Sequence, residues 1–397
     1  MLYSNPVNTR IAARKTNPAG RPAAFQAPCR RVLAKSATIP AGAPGGPKQG
    51  YHTVEEDIRK EALSLFFPPE AEPRVAPTTG GVNNVVERVF VKGKDGKEDQ
   101  YILRIYNNGG MSEKVVFEHA ILAQLAPQPL SIQVPRTLPS KNGRPHELLS
   151  NGAECCVFYV IPGELAKTTS PKEVGRATGE LNSAMGKLKL DMEAPIAPYF
   201  ELFKVHHAIS EELFYQEMAK PELDVAREPI DYLVEQTKIL TGKIQEFLKL
   251  GLPQQWIHGD LHYDNVLVVG DRVSGLLDFE FCSYDWRAME LAVALSKYVG
   301  EDDPMPPTLD FLEGYAMHGQ LTDLEAECIP DLINLRIASN AVYFTGRAVG
   351  KEDSIEALTS RAAQYAKRVR WVNANREKLV GAIKDKMAAI AKSKAMA

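Results

Sequence analysis

Read for alternation of apolar and polar positions, the chain divides into a strand-bearing first part and a mostly helical second part. From Tyr51 to Phe67 the apolar spacing predicts a helix closed by Pro68-Pro69. Two β-type runs follow, Val82 to Val91 and Tyr101 to Tyr106, around the turn-rich Lys92-Gly93-Lys94-Asp95-Gly96, and these read as a hairpin. Residues 112–126 return to helical spacing through Val115, Val116, His119, Leu122 and Leu125, ended by Pro127. A strand is expected at 154–161, broken by Pro162-Gly163. Beyond it helices are predicted over 171–188, 225–250, 286–298, 307–318, 325–349 and 353–392, with one β-rich interruption from 256 to 281. Strands early and helices late make an α+β pattern.

Charge separates the amino terminus from this body. Residues 1–54 carry eight Lys and Arg and no Asp or Glu; taking that +8 from the net −3 leaves −11 for the rest. An acidic body argues against nucleic-acid binding, which depends on Lys and Arg at phosphates. The basic segment, rich in Ala, Arg, Pro, Ser and Thr, has the composition of an organelle transit peptide. Arg30-Arg31-Val32-Leu33-Ala34 resembles a plastid-type processing site, so import into the chloroplast is expected, with the mitochondrion as the alternative. Residues 1–50 are therefore assigned to a transit peptide and linker, 51–161 to an amino-terminal lobe and 162–397 to a carboxy-terminal lobe. No apolar run reaches the ~18–20 residues of a spanning helix, so no membrane partner is expected. Five cysteines without metal-ligand spacing read as free thiols of a reducing compartment, with Cys155-Cys156 inside a buried strand.

The stretch Trp256 to Val269 carries the chemistry. His258-Gly259-Asp260-Leu261, followed by Asn265, matches H-R-D-L-x-x-x-N with Gly in place of Arg. After a strand-turn-strand about Gly270-Asp271 comes Asp278-Phe279-Glu280, a D-F-G pattern with Glu at the third place. Catalysis of phosphoryl transfer is positioning plus charge neutralisation, so it needs oxygen ligands for Mg²⁺ and an acid group at the attacking hydroxyl. Asn265, Asp278 and Glu280 are the candidate metal ligands; Asp260 is the candidate base, with His258 beside it as the second catalytic residue.

This constellation resembles the aminoglycoside phosphotransferase, choline kinase and homoserine kinase type II superfamily over most of residues 75–350. The resemblance implies a two-lobed protein-kinase-like fold, ATP and Mg²⁺ as cofactors, and the hydroxyl of a small molecule as acceptor. It implies phosphate contacts around Gly80, Gly81, Asn83 and Asn84, where glycines let backbone N–H groups approach. Arg104 stands where such folds carry a strand Lys, with Glu118, or else Glu113, as its partner. Val157 to Gly163 resembles the hinge whose backbone meets adenine, with Tyr159 and Ile161 lining it. Asp285 to Ala292 resembles the family's D-x-x-x-x-D-L-A helix start, and the run from Val266 to Leu295 resembles homoserine kinase type II relatives most. A scaffold without catalysis and a protein kinase are the alternatives. The first is disfavoured because Asp260, Asn265 and Asp278 are all present, the second because no A-P-E segment follows Asp278. Tyr284, Trp286 and Arg287 are candidates for substrate contact or packing, whereas Lys367, Arg368, Arg370 and the Lys384 to Lys394 run are expected to form a solvated face.

Overall fold

The computed structural model describes residues 55–78, 84–93, 96–106 and 112–396. Helix α1 (Glu56–Phe66) leads into β1 (Arg74–Pro77), β2 (Val85–Lys92) and β3 (Glu98–Tyr106), then α2 (Ser112–Leu125), β4 (Glu147–Leu148) and β5 (Glu154–Tyr159). These strands form one sheet in the order β1-β2-β3-β5-β4, every neighbouring pair antiparallel. Alternation along β3 decides what each face holds. Leu103 and Ile105 join Ile58, Leu63, Phe66, Cys155 and Val157 in a core under α1. Tyr106 points the other way, with Cys156 and Phe158, into the core that α2 covers through Phe117, Ile121 and Leu125. Adjacent Cys155 and Cys156 thus enter different cores, and the four cysteines described are buried and free.

The second lobe continues with β6 (Glu164–Leu165), α3 (Pro171–Met185), α4 (Glu211–Met218) and α5 (Arg227–Leu250). Strands β7 (Gln254–Ile257), β8 (Val266–Val269), β9 (Arg272–Leu276) and β10 (Ser283–Trp286) bracket the catalytic segment. Helices α6 (Arg287–Tyr298), α7 (Met305–Ala316), α8 (Asp323–Val349), α9 (Glu356–Ala374) and α10 (Arg376–Met396) complete it. Antiparallel pairing of β8 with β9 and of β7 with β10 returns the chain twice to one edge, which brings the Asp260 and Asp278 segments together. The architecture is the expected two-lobed α+β kinase-like one. No helix among the described residues is long and apolar enough to cross a membrane.

Four short elements, β1, β4, β6 and α4, carry too few periodic positions to be read from sequence. The helix expected over 353–392 is two helices. At Asn375 the backbone leaves the helical region (φ −115°, ψ 16°) and the side-chain amide donates to Trp371 O at 2.9 Å, which ends α9 before α10 begins. The solvated face on α9 also needs correction: Lys367 and Arg370 are exposed, but Arg368 is buried.

Candidate functional site

Residues 258–265 form the loop between β7 and β8, and it is held from below. The fully buried His258 donates from Nε2 to Leu277 O at 2.9 Å, while its Nδ1 accepts the Asp260 N–H at 3.3 Å. Burial, first of all, lowers its pKa to about 4, so the ring is neutral and ties the loop to the strand preceding Asp278. Leu277 N–H makes a second tie to Asn265 O at 2.9 Å. The buried Glu290 on α6 receives the His258 N–H. Gly259 has φ +76°, and a Cβ there would come within 2.5 Å of the Phe281 carbonyl oxygen. That contact explains why this loop has Gly where protein kinases have Arg. His258 therefore positions the loop, with both ring nitrogens engaged by backbone groups.

Asp260 sits between two kinds of neighbour. Asn265 Nδ2 donates to its backbone carbonyl at 2.9 Å and to Oδ2 at 3.2 Å. Using the amide hydrogens in this way leaves the Asn265 amide oxygen as the group available for a ligand. Arg336 on α8 binds Oδ1 with its guanidinium, and His262 Nε2 lies 3.6 Å from the same oxygen. Burial raises the Asp260 pKa, and Arg336 and Lys297 pull it back. Lys297 is itself paired with Asp264 at 2.8 Å. Arg336 comes from a helix far along the chain, with no motif around it, and sequence reasoning missed it.

At the other end, Asp278 adopts a left-handed conformation, φ 66°. An L-residue there costs about 1–2 kcal/mol, and such strain is retained where the side chain must point into a site. Arg104 makes ion pairs with Glu118 at 3.0 Å, Glu280 at 2.5 Å and Asp278 at 3.4 Å. Tyr106 Oη donates to Glu118 at 3.1 Å, and Asn84 Nδ2 to Glu280 at 2.8 Å. Burial would lower Arg104, but Glu118, Tyr106, Glu280 and Asp278 outweigh it and keep the guanidinium charged. Asp278 is driven up by burial and then by Glu280, against the pull of Arg104. One guanidinium thus neutralises three carboxylates only in part. The remaining donors are hard oxygens (two carboxylates and the Asn265 amide oxygen), a set that fits Mg²⁺.

The structure brings Asn84, Arg104, Glu118, Asp260, Asn265, Asp278 and Glu280 to one cleft. The expected Arg104 partner is Glu118, whereas Glu113 is exposed at the start of α2. Gly80, Gly81 and Asn83 lie outside the described residues. Tyr159 is exposed at the end of β5, and its N–H is committed to Arg136 O at 2.9 Å. Ile161 lies against Gly275 between the lobes, and its backbone N–H and carbonyl make no hydrogen bond among the described residues. Beyond Asp278 and Glu280, Trp286 is buried against Phe200 and Phe247, and Arg287 pairs with Glu325 at the base of α8, so both are packing residues. Asp285 is buried and accepts backbone N–H groups from Tyr199 and Trp286 at 2.5 and 2.6 Å.

Comparison with known proteins bears on the family and the fold. Residues 76–326 match the model of the phosphotransferase enzyme family. A homoserine kinase of Sinorhizobium medicae is 28% identical over 274 residues, 65% of this chain and 78% of that protein. One from Agrobacterium fabrum is 28% identical over 277 residues, 66% and 80% of the two chains. Among solved structures, a microcompartment-associated aminopropanol kinase superposes with a TM-score of 0.59 at 16% identity, covering 82% of this chain and 99% of that one. An amicoumacin kinase solved with AMP-PNP and Ca²⁺ gives 0.56 at 18% identity, over 82% and 93%. The structural likeness is one of fold, while the family match spans both halves of the cleft. The chain belongs to the phosphotransferase enzyme family and is a small-molecule kinase.

Proposed function

We propose that this enzyme moves the γ-phosphoryl group of ATP to the hydroxyl of a small metabolite of the homoserine-like amino-alcohol type, with Asp260 as the base. The observation that carries the reading is the pairing at the heart of the cleft: Asp260 and Asn265 are hydrogen-bonded to each other, and Asn265 is tied through its carbonyl to the residue before Asp278. An acid for the acceptor and the ligands for Mg²⁺ are thereby held in one rigid unit. In the transfer, the acceptor oxygen forms the new P–O bond, the bond to the β,γ-bridging oxygen breaks, ADP leaves, and Asp260 takes the hydroxyl proton. Asp278, Glu280 and the Asn265 amide oxygen would hold Mg²⁺, which supplies charge neutralisation at the phosphates when bound. Arg104 binds Asp278 and Glu280 through Nη2 and Glu118 through Nη1. With Glu118 keeping it in place, Nη2 turns from the carboxylates to a phosphate oxygen as the nucleotide enters. The free backbone groups of Ile161 suit the adenine edge.

Homoserine kinases among the relatives favour an amino-alcohol acceptor over a sugar. A screen of amino-alcohol and sugar acceptors with the purified protein, read by ³¹P NMR, tests this. A phosphomonoester is expected from homoserine-like acceptors before sugars; ATP binding without transfer to any acceptor would leave a scaffold. We also propose that residues 1 to roughly 34 are an import segment, plastid-type before mitochondrial, on the strength of their basic, acid-free composition. Amino-terminal sequencing of protein isolated from tissue tests it, and an intact Met1 inside the organelle overturns it.

A further inference from the structure

Arg368 is a buried charge without an ion-pair partner among the described residues. Only 8% of its surface is exposed, it makes no ion pair or hydrogen bond among the described residues, and its Nε is buried without a partner. The acids nearest to it are already engaged: Glu301 accepts from Tyr263 Oη at 2.7 Å, and Asp264 holds Lys297 at 2.8 Å. The contact is built closely, since a Cβ on Gly300 would fall 2.3 Å from Arg368 Nε and 2.8 Å from Cζ. Burial lowers the Arg368 pKa, and the surrounding tyrosines and acids only partly restore it. Placing a guanidinium out of water without a counter-charge is costly, so an anion that arrives there is bound strongly.

A second arginine borders the same place. Arg336 Nε is also buried without a partner, although its Nη2 holds Asp260. Its guanidinium lies 5.7 Å from the centre of the Tyr199 ring. Both arginines, together with Lys297, act on His262, whose pKa burial and these cations hold well below the usual imidazole range. The buried Tyr365 on α9 feels both arginines as well. Arg336 therefore meets the Oδ1 side of Asp260, away from Oδ2 and Asn265, and Arg368 lies by the same loop near Tyr263 and Asp264.

We propose that Arg368, assisted by Arg336, is the subsite for a carboxylate on the acceptor, so that this kinase selects hydroxy amino acids or hydroxy acids over neutral amino alcohols and sugars. The proposal rests on the reading of Asp260 as the acceptor's base. A guanidinium offers forked N–H donors that match a carboxylate, and a neutral acceptor would leave both Nε–H groups unpaired.

The test uses acceptor pairs that differ only by the carboxylate: L-homoserine with 3-amino-1-propanol, L-serine with ethanolamine, and L-threonine with 1-amino-2-propanol. Steady-state transfer by the full-length protein is compared with Arg368→Gln and Arg368→Lys. In Arg368→Gln, KM for the carboxylate-bearing member should rise roughly 10- to 100-fold, the usual weight of a hydrogen bond to a charged group. Its kcat and the neutral member's constants should stay within a few-fold, and Arg368→Lys should recover part of the loss. Equal loss for both members of a pair, or an unchanged KM for the carboxylate-bearing one, overturns the proposal. Should Arg368→Gln fail to fold, calorimetric titration of the wild-type protein with an ATP analogue present decides it. The carboxylate-bearing member must then bind at least about 10-fold more tightly, and equal binding is the adverse result. Absence of transfer to every acceptor defeats the kinase reading instead, and the calorimetric comparison still decides the carboxylate subsite.

Discussion

The two ends of the cleft pair their charges differently although they are only one loop apart. Around Asp278 one guanidinium, Arg104, is shared among Glu118, Glu280 and Asp278. Around Asp260, Arg336, Arg368 and Lys297 approach a loop whose acids are Asp260 and Asp264. The first end is short of positive charge and suits a divalent cation; at the second, the acids Asp260, Asp264 and Glu301 are each engaged by another group, and Arg368, without an ion pair among the described residues, suits an anionic one. Phosphoryl transfer from Mg²⁺-bound ATP to a carboxylate-bearing acceptor asks for that order along one axis. The charge of the folded body, which is acidic as a whole, conceals the division.

The largest effects should come from removing the acid that defines each end. Asp278→Asn should lower turnover by about 100-fold or more at saturating Mg²⁺, because a metal contributes several kcal/mol of charge stabilisation and a neutral amide binds it poorly. Asp260→Asn should lower kcat by on the order of 10²–10⁴ while the ATP Kd stays within a few-fold. Nucleotide titration and single-turnover assays on both variants check the contrast. If Asp260→Asn lost ATP binding together with rate, Asp260 would belong to the nucleotide end and the two-ended picture would fail.

Next in size is a difference in stability. Arg104→Met strands Glu118, which is 2% exposed, beside Glu280 and Asp278. Breaking a buried pair in this way costs about 3–5 kcal/mol. Arg336→Met strands Asp260, whose side chain retains 16% exposure and keeps its Asn265 hydrogen bonds, so the loss should be smaller. Urea unfolding of the two variants ranks them, and equal losses would mean that the ends are buried alike. Arg336→Met has a second readout. Arg336 lowers the Asp260 pKa against burial, so without it Asp260 protonates at higher pH, and the acid limb of the kcat profile should shift upward.

Much of the anionic end was legible in sequence, and much of the cationic end was not. Asn265, Asp278 and Glu280 lie within one short run whose spacing follows the chemistry, and Arg104 stands where the resembling folds carry a strand Lys. Arg336 and Arg368 come from α8 and α9, where an arginine in a helical pattern reads as solvated. Only tertiary packing buries them: Gly300 admits the Arg368 guanidinium, and Asp260 receives Arg336. His258 was legible as part of the motif but not in its role, since nothing in the spacing says that both ring nitrogens bind backbone. The split of the last long helix depended on one side chain, Asn375, turning back on its own backbone.

The smallest effect concerns how far the anionic field extends behind the cleft. His119 lies on α2 next to Glu118, its ring parallel to Phe158 (centroids 6.1 Å apart), with Nε2 3.3 Å from Tyr106 Oη and the His146 ring at 4.9 Å. Were the surplus carboxylate charge felt there, His119 would protonate readily. Instead burial, followed by His146 and Arg104, lowers its pKa to about 3. The unfolded chain takes up this proton near pH 6.5 and the folded one does not. Stability is therefore fully present above about pH 6.5 and is lost as pH falls toward 3, by about 1 kcal/mol between pH 6.5 and 5.5. His119→Gln should flatten that limb of a stability–pH curve measured by urea unfolding, whatever it does to stability at pH 8. A slope unchanged by the substitution would mean that His119 protonates in the folded state, and that the carboxylate charge around Glu118 extends one residue along α2.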